Sequence, residues 1–255
     1  MTTRWVGTSW KMHKTLAESV TYAQGLVAAL RDEPGEYAGV QPFVIPSHTA
    51  LASVDEALGP ARDRPAGLLL GAQDAHWEDA GAWTGEVSVP QVADAGAQVI
   101  EIGHSERREH FADSIERTAW KVRAALRHGL MPLLCVGEPD AVQRAGGSRE
   151  HVLDQARGAL DGLSSDELDS VLIAYEPVWA IGEHGRTPHT AEIDGPLQSL
   201  QGEFGDRVQA VLYGGSVNAG NAVELLALGT VEGLFVGRAA WSLSGYLELL
   251  RLAAD

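Results

Sequence analysis

The sequence predicts an α/β fold of one kind, a closed (β/α)8 barrel with eight parallel strands surrounded by helices. Three observations predict it. Eight short apolar runs suited to buried strands recur along the 255 residues, the segments between them carry helix punctuation, and the runs alternate with those segments throughout. The spacing from run to run suits a crossover through a helix and is too long for a hairpin, so neighbouring strands should be parallel with right-handed connections.

The eight runs, in order, are Trp5 to Gly7, Pro42 to Ile45, Leu68 to Ala72, Val99 to Gly103, Leu133 to Val136, Val171 to Tyr175, Val208 to Tyr213 and Gly233 to Val236. Thr15-Leu16-Ala17-Glu18 is a capping pattern that opens the first helix, and Ser114 opens another that stops at Gly129. An open doubly wound sheet is the structural competitor. It would normally place a Gly-rich dinucleotide turn after the first strand, and Gly7-Thr8-Ser9-Trp10-Lys11 is not one. The stretch from Gly59 to Gly67 reads as a surface loop, and no Pro/Gly/Ser linker is long enough to divide residues 1–255 into more than one domain.

Composition excludes several partners. Apolar residues make up 45% of the chain and charged residues 21%, enough for a large core under a solvated surface. A formal charge of −16 repels nucleic-acid phosphates and anionic lipid headgroups, so neither nucleic acid nor membrane is an expected partner. An anionic substrate would have to be met by a few local donors. The single cysteine, Cys135, allows no disulfide within the chain and no cysteine-based metal site. Met1 to Trp5 leads into a strand instead of a signal-peptide core, and the expected location is cytoplasmic.

In such a barrel, functional groups belong on the loops after the C-terminal strand ends. Lys11 follows the first strand and would project a cation into the mouth, although a surface lysine has the same local sequence. His104 follows the fourth strand where a helix begins. Free backbone N–H groups there disfavour imidazolium and suit a neutral hydrogen-bond donor; a histidine satisfied by backbone is the alternative. Glu176 follows the sixth strand, where partial burial would raise its basicity; the alternative is pairing with an arginine. Pro177 to Trp179, with Gly182 and Gly185 beyond, has the rigid-then-flexible pattern of a hinged lid. Tyr213-Gly214-Gly215-Ser216-Val217 and Phe235-Val236-Gly237-Arg238 fall on the two loops that usually cradle phosphate in these barrels.

Together these segments resemble the triosephosphate isomerase family, in the right order and over essentially the whole chain. The matching motifs are Trp10-Lys11-Met12, Gly103-His104-Ser105-Glu106-Arg107-Arg108, Ala174 to Gly182, and Tyr213 to Val217. The resemblance implies a TIM barrel in which Glu176 is the base, His104 the neutral electrophile, Lys11 the cation beside carbonyl and phosphate, and Glu106 a supporting carboxylate. A glutamate base opposite a neutral histidine at a helix N-terminus is the well-known arrangement of triosephosphate isomerase itself, carried over here with the resemblance. It further implies Gly182, Ser216, Gly237 and Arg238 as phosphate contacts, no metal or organic cofactor, and a phosphorylated sugar as substrate. The loop from Gln73 to Glu86 resembles the family's dimer-interlocking loop; its Trp77 and Trp83 would be costly to expose, so a homodimer is expected.

Three positions depart from the family pattern: Ser9 stands where Asn is usual, Gly182-Glu183-His184-Gly185-Arg186 replaces a Gly-x-Gly-Lys lid tip, and Arg238 replaces a glycine. The combination resembles the branch that isomerises tetrulose phosphates such as erythrulose 1-phosphate. An ordinary triosephosphate isomerase is the alternative. A non-catalytic phosphate-binding scaffold is the remaining one, and a scaffold would have no need of Lys11, His104 and Glu176 together.

Overall fold

The computed structural model describes residues 3–182 and 185–254. Its order is β1 (Arg4–Ser9), α1 (Leu16–Asp32), β2 (Val40–Ile45), α2 (Leu51–Leu58), β3 (Leu69–Ala72), α3 (Val89–Asp94), β4 (Val99–Ile102), α4 (Ser105–His110), α5 (Ile115–Arg127) and β5 (Met131–Val136). It continues with α6 (Asp140–Arg144), α7 (Ser148–Leu160), α8 (Ser165–Leu168), β6 (Leu172–Tyr175), α9 (Thr190–Phe204), β7 (Ala210–Tyr213), α10 (Ala222–Leu226), β8 (Gly233–Val236) and α11 (Leu243–Ala254). The strands pair in sequence order, all parallel, and β1 closes on β8 with Trp5 opposite Gly233. The closed barrel expected from the sequence is what forms.

Each strand sends alternate residues to opposite faces, and both faces are dry. Trp5, Phe43, Val99, Leu133, Leu172, Leu212 and Phe235 fill the barrel interior. The intervening residues, among them Val6, Val44, Ile100, Leu134 and Ile173, pack outward against the helices. Space inside is tight enough to dictate a glycine: a Cβ on Gly7 would lie 1.9 Å from the Phe43 ring. The interior is thus a packed core, which leaves the loops at the strands' C-terminal ends to form the site.

Both helix starts expected from the sequence are present. Thr15 caps α1, its Oγ1 accepting from the Glu18 backbone N–H while Glu18 Oε2 accepts from the Thr15 N–H at 2.7 Å. Ser114 caps α5, which ends at Arg127 just before Gly129. The Gly59 to Gly67 stretch differs from a plain surface loop, because it folds into two short 3-10 turns held down by Arg64. That side chain is buried and donates to Asp55 Oδ1 at 2.5 Å and Gln98 Oε1 at 3.1 Å, so a charge that looks solvated in sequence anchors the loop to α2. Among the described residues, no helix is long and apolar enough to cross a membrane.

Candidate active site at the barrel mouth

Lys11 leaves the end of β1 with a left-handed backbone, φ +50°, which costs strain for any residue but glycine. Neighbouring loops hold it there. Gln73, just past β3, donates its Nε2 to the Lys11 carbonyl at 2.9 Å, and Trp241, past β8, donates Nε1 to the Ser9 carbonyl at 3.0 Å. The lysine Nζ then donates to Glu106 Oε1 at 2.7 Å. Burial by itself would lower the lysine's pKa, but the Glu106 hydrogen bond and charge, with Glu176 and Glu101 beyond, raise it, so Lys11 stays cationic.

His104 is the N-cap of α4. Its Nδ1 accepts from the Glu106 backbone N–H at 3.2 Å, so that nitrogen is unprotonated and the proton of the neutral ring sits on Nε2. Burial, and then the Lys11 charge, push the imidazole down to about 4. Glu106 lies 3.7 Å from Nδ1, yet with a neutral ring this is proximity and not an ion pair.

Glu176 sits opposite. Its backbone N–H donates to the Val136 carbonyl at 2.8 Å as the strand pairing with β5 ends, and its side chain is buried with Oε2 3.6 Å from His104 Nε2. That oxygen has no hydrogen-bond partner among the described residues. Burial first, and the charge of Glu101 second, push the carboxyl up to about 8. Two glycines make the seat possible: a Cβ on Gly137 would fall 1.9 Å from the Glu176 carbonyl, and one on Gly214 would fall 2.7 Å from its Cγ. The arginine pairing weighed from sequence does not occur, since no described arginine is among the ion-pair partners of Glu176.

The phosphate candidates lie around the same rim. Ser216 is half-buried and 3.5 Å from Thr187 Oγ1, Gly237 follows β8, and Gly182 is exposed with φ +82°. Arg238 reaches across toward Gly182, Nη2 to carbonyl at 3.5 Å, the outer limit of a hydrogen bond. Glu183 and His184, the expected lid tip, lie outside the described residues. Among the described residues no three His, Cys, Asp or Glu side chains gather into a metal-holding group.

Sequence reasoning misses two buried carboxylates. Glu101 on β4 accepts from Ser9 Oγ at 2.7 Å, and Glu138 accepts from Tyr175 OH at 3.1 Å and Trp179 Nε1 at 2.9 Å, tying the segment after Glu176 to the β5 loop. A signal exists for the first: Glu101 is a charge inside the apolar run Val99-Ile100-Glu101-Ile102.

A buried carboxylate, a neutral Nε2–H donor and a lysine facing one cleft at the mouth of an eight-stranded barrel define the class: a barrel suited to proton transfer next to a polarised carbonyl. Residues 4–253 match the triosephosphate isomerase family. The chain is 57% identical to a protein of Mycolicibacterium smegmatis named L-erythrulose-1-phosphate isomerase, over 98% of this chain and 93% of that one. It is 45% identical to a protein of the same name from Mesorhizobium japonicum, over 98% and 97%. The triosephosphate isomerase structure from Bartonella henselae superposes with a TM-score of 0.81 at 30% identity, covering 99% of both chains. The chain belongs to the triosephosphate isomerase family.

The His104 geometry predicts a fixed tautomer. Nitrogen-15 NMR should show a neutral ring protonated on Nε2 across the range from about pH 5.5 to 8; a midpoint near the ordinary value of about 6.5 would contradict it.

Proposed function

We propose that this protein isomerises a four-carbon ketose phosphate, erythrulose 1-phosphate, by base-catalysed proton transfer through an enediol. Glu176 removes the proton from the carbon beside the ketone, on the side away from the phosphate. His104 Nε2–H donates to the carbonyl oxygen as negative charge develops there, and Lys11 adds its positive charge beside the same oxygen and the phosphate. Glu106 keeps Lys11 extended into the cleft. Return of the proton to the former carbonyl carbon completes the shift by one position. Gly182, Ser216, Gly237 and Arg238 receive the phosphate, whose charge is met by backbone N–H groups and one guanidinium.

The observation that carries the four-carbon reading is Ser9. Its hydroxyl is drawn onto Glu101, where the family usually places a longer asparagine, leaving room beside the reacting carbons for one more hydroxylated carbon. The names of the Mycolicibacterium and Mesorhizobium relatives support the same substrate. Polar groups built to meet an extra hydroxyl reject a substrate lacking it by as much as roughly 10⁴-fold. Purified protein should therefore show higher kcat/KM for erythrulose 1-phosphate than for glyceraldehyde 3-phosphate. Ser9→Asn with Arg238→Gly should shift preference toward the triose. A higher value for the triose in the unmodified protein would make this a triosephosphate isomerase instead.

The protein functions as a homodimer through the Gln73 to Glu86 loop and its surroundings. Trp77 covers itself within the chain, against His76 at 4.1 Å and Trp120 at 5.2 Å between ring centres. Trp83, Phe111 and Met12, next to Lys11, remain exposed, Met12 at 98%. A partner covering Met12 would also brace the strained Lys11 segment next to it. A phosphorylated sugar as substrate supports a cytoplasmic location. Sedimentation at micromolar concentration should give twice the chain mass, and Met12→Glu should shift it toward monomer; a fully active monomer would overturn the assignment.

A further inference from the structure

β4 carries a charge where its pattern calls for an apolar side chain. Ile100 and Ile102 face the helices and Val99 faces the barrel interior, so the alternation turns Glu101 inward as well. It is 6% exposed, and across the barrel Ser9 Oγ donates to its Oε2 at 2.7 Å. No cation pairs with it among the described residues. Its charged surroundings are Lys11 after β1, Asp74 after β3, Glu106 on α4 and Glu176 after β6. Neutral His104, the buried Cys135 thiol of β5 and the Tyr213 phenol of β7 also face Glu176. Lys11, the nearest cation, is hydrogen-bonded to Glu106 instead. A glutamate left in a barrel core with one neutral partner is costly, and a leucine would fill the same place without that cost.

We propose that Glu101 is a positioning residue for the proton transfer: it fixes the Ser9 hydroxyl at the reacting end of the substrate and sets a second carboxylate charge against Glu176. The inference rests on Glu176 being the base. With its hydrogen turned to Glu101, Ser9 Oγ presents lone pairs to the cleft and accepts from a substrate hydroxyl, so the pair reads the additional hydroxylated carbon as an acceptor. The charge acts separately. Burial pushes Glu101 up to about 7, and the Glu101 charge, second to burial, helps push Glu176 up to about 8. A negative neighbour makes Glu176 hold its proton to higher pH and take one more strongly from carbon. Because the base works only when deprotonated, the acid limb of kcat/KM must lie above where an isolated buried Glu176 would put it.

Glu101→Gln keeps an oxygen that accepts from Ser9 and removes the charge. The acid limb should then move to lower pH by about one unit or more. Glu101→Asp keeps the charge but withdraws it from Ser9, and should leave the limb in place while kcat/KM for the four-carbon ketose phosphate falls roughly tenfold or more. Carbon-13 NMR of glutamate-labelled protein, with Glu176→Gln as assignment control, reads the Glu176 titration without turnover. It should move down in Glu101→Gln. Failure of the unmodified protein to turn over either sugar phosphate would sink the function but leave this titration readable. An unmoved Glu176 titration in Glu101→Gln, or unchanged kcat/KM in Glu101→Asp, would overturn the inference; should Glu101→Gln not fold, the Asp variant alone decides it.

Discussion

Keeping the Glu176 carboxyl dry at the top of the barrel, with one oxygen unpartnered and the imidazole Nε2 of His104 3.6 Å away, constrains much of what surrounds it. A carboxylate removed from water gains proton affinity only while nothing nearby neutralises it. The neighbouring cation therefore has to be occupied, and the Lys11 to Glu106 hydrogen bond does that. The facing histidine has to be uncharged, and burial does that, with the N–H at the start of α4 occupying Nδ1. The walls have to come close without touching, and Gly137 and Gly214 do that.

Strain and burial are concentrated at the same place. The left-handed Lys11 backbone is held by Gln73 and, two residues back along β1, by Trp241, side chains from loops after β3 and β8. Glu138 gathers Tyr175 and Trp179 on either side of Glu176, so this side chain is fixed from both directions along its own chain. The barrel supplies the rigid frame, because its interior is filled by side chains such as Phe43 and Phe235 and offers no slack below the site.

The strands are legible in the sequence because each is buried on both faces and reads as a continuous apolar run, interrupted by loops rich in glycine and charge. Lys11, His104 and Glu176 are legible because polar residues directly after such runs have few structural reasons to be there. Glu101 is not, since the strand pattern absorbs a single charge as noise until the alternation is known to point it inward. Arg64 is hidden for the opposite reason: in a loop full of proline, glycine and charge, one buried arginine looks like its solvated neighbours. Arg238 stands out as a departure from the family pattern, but only the structure shows it reaching toward Gly182.

If one dry carboxylate moves the proton, Glu176→Gln tests it with almost no change of shape. A general base contributes roughly 10²- to 10⁴-fold, so kcat for erythrulose 1-phosphate should fall by at least that range's lower end while binding of a non-reacting phosphorylated analogue stays near normal. Near-normal turnover in the variant would contradict the role given to Glu176.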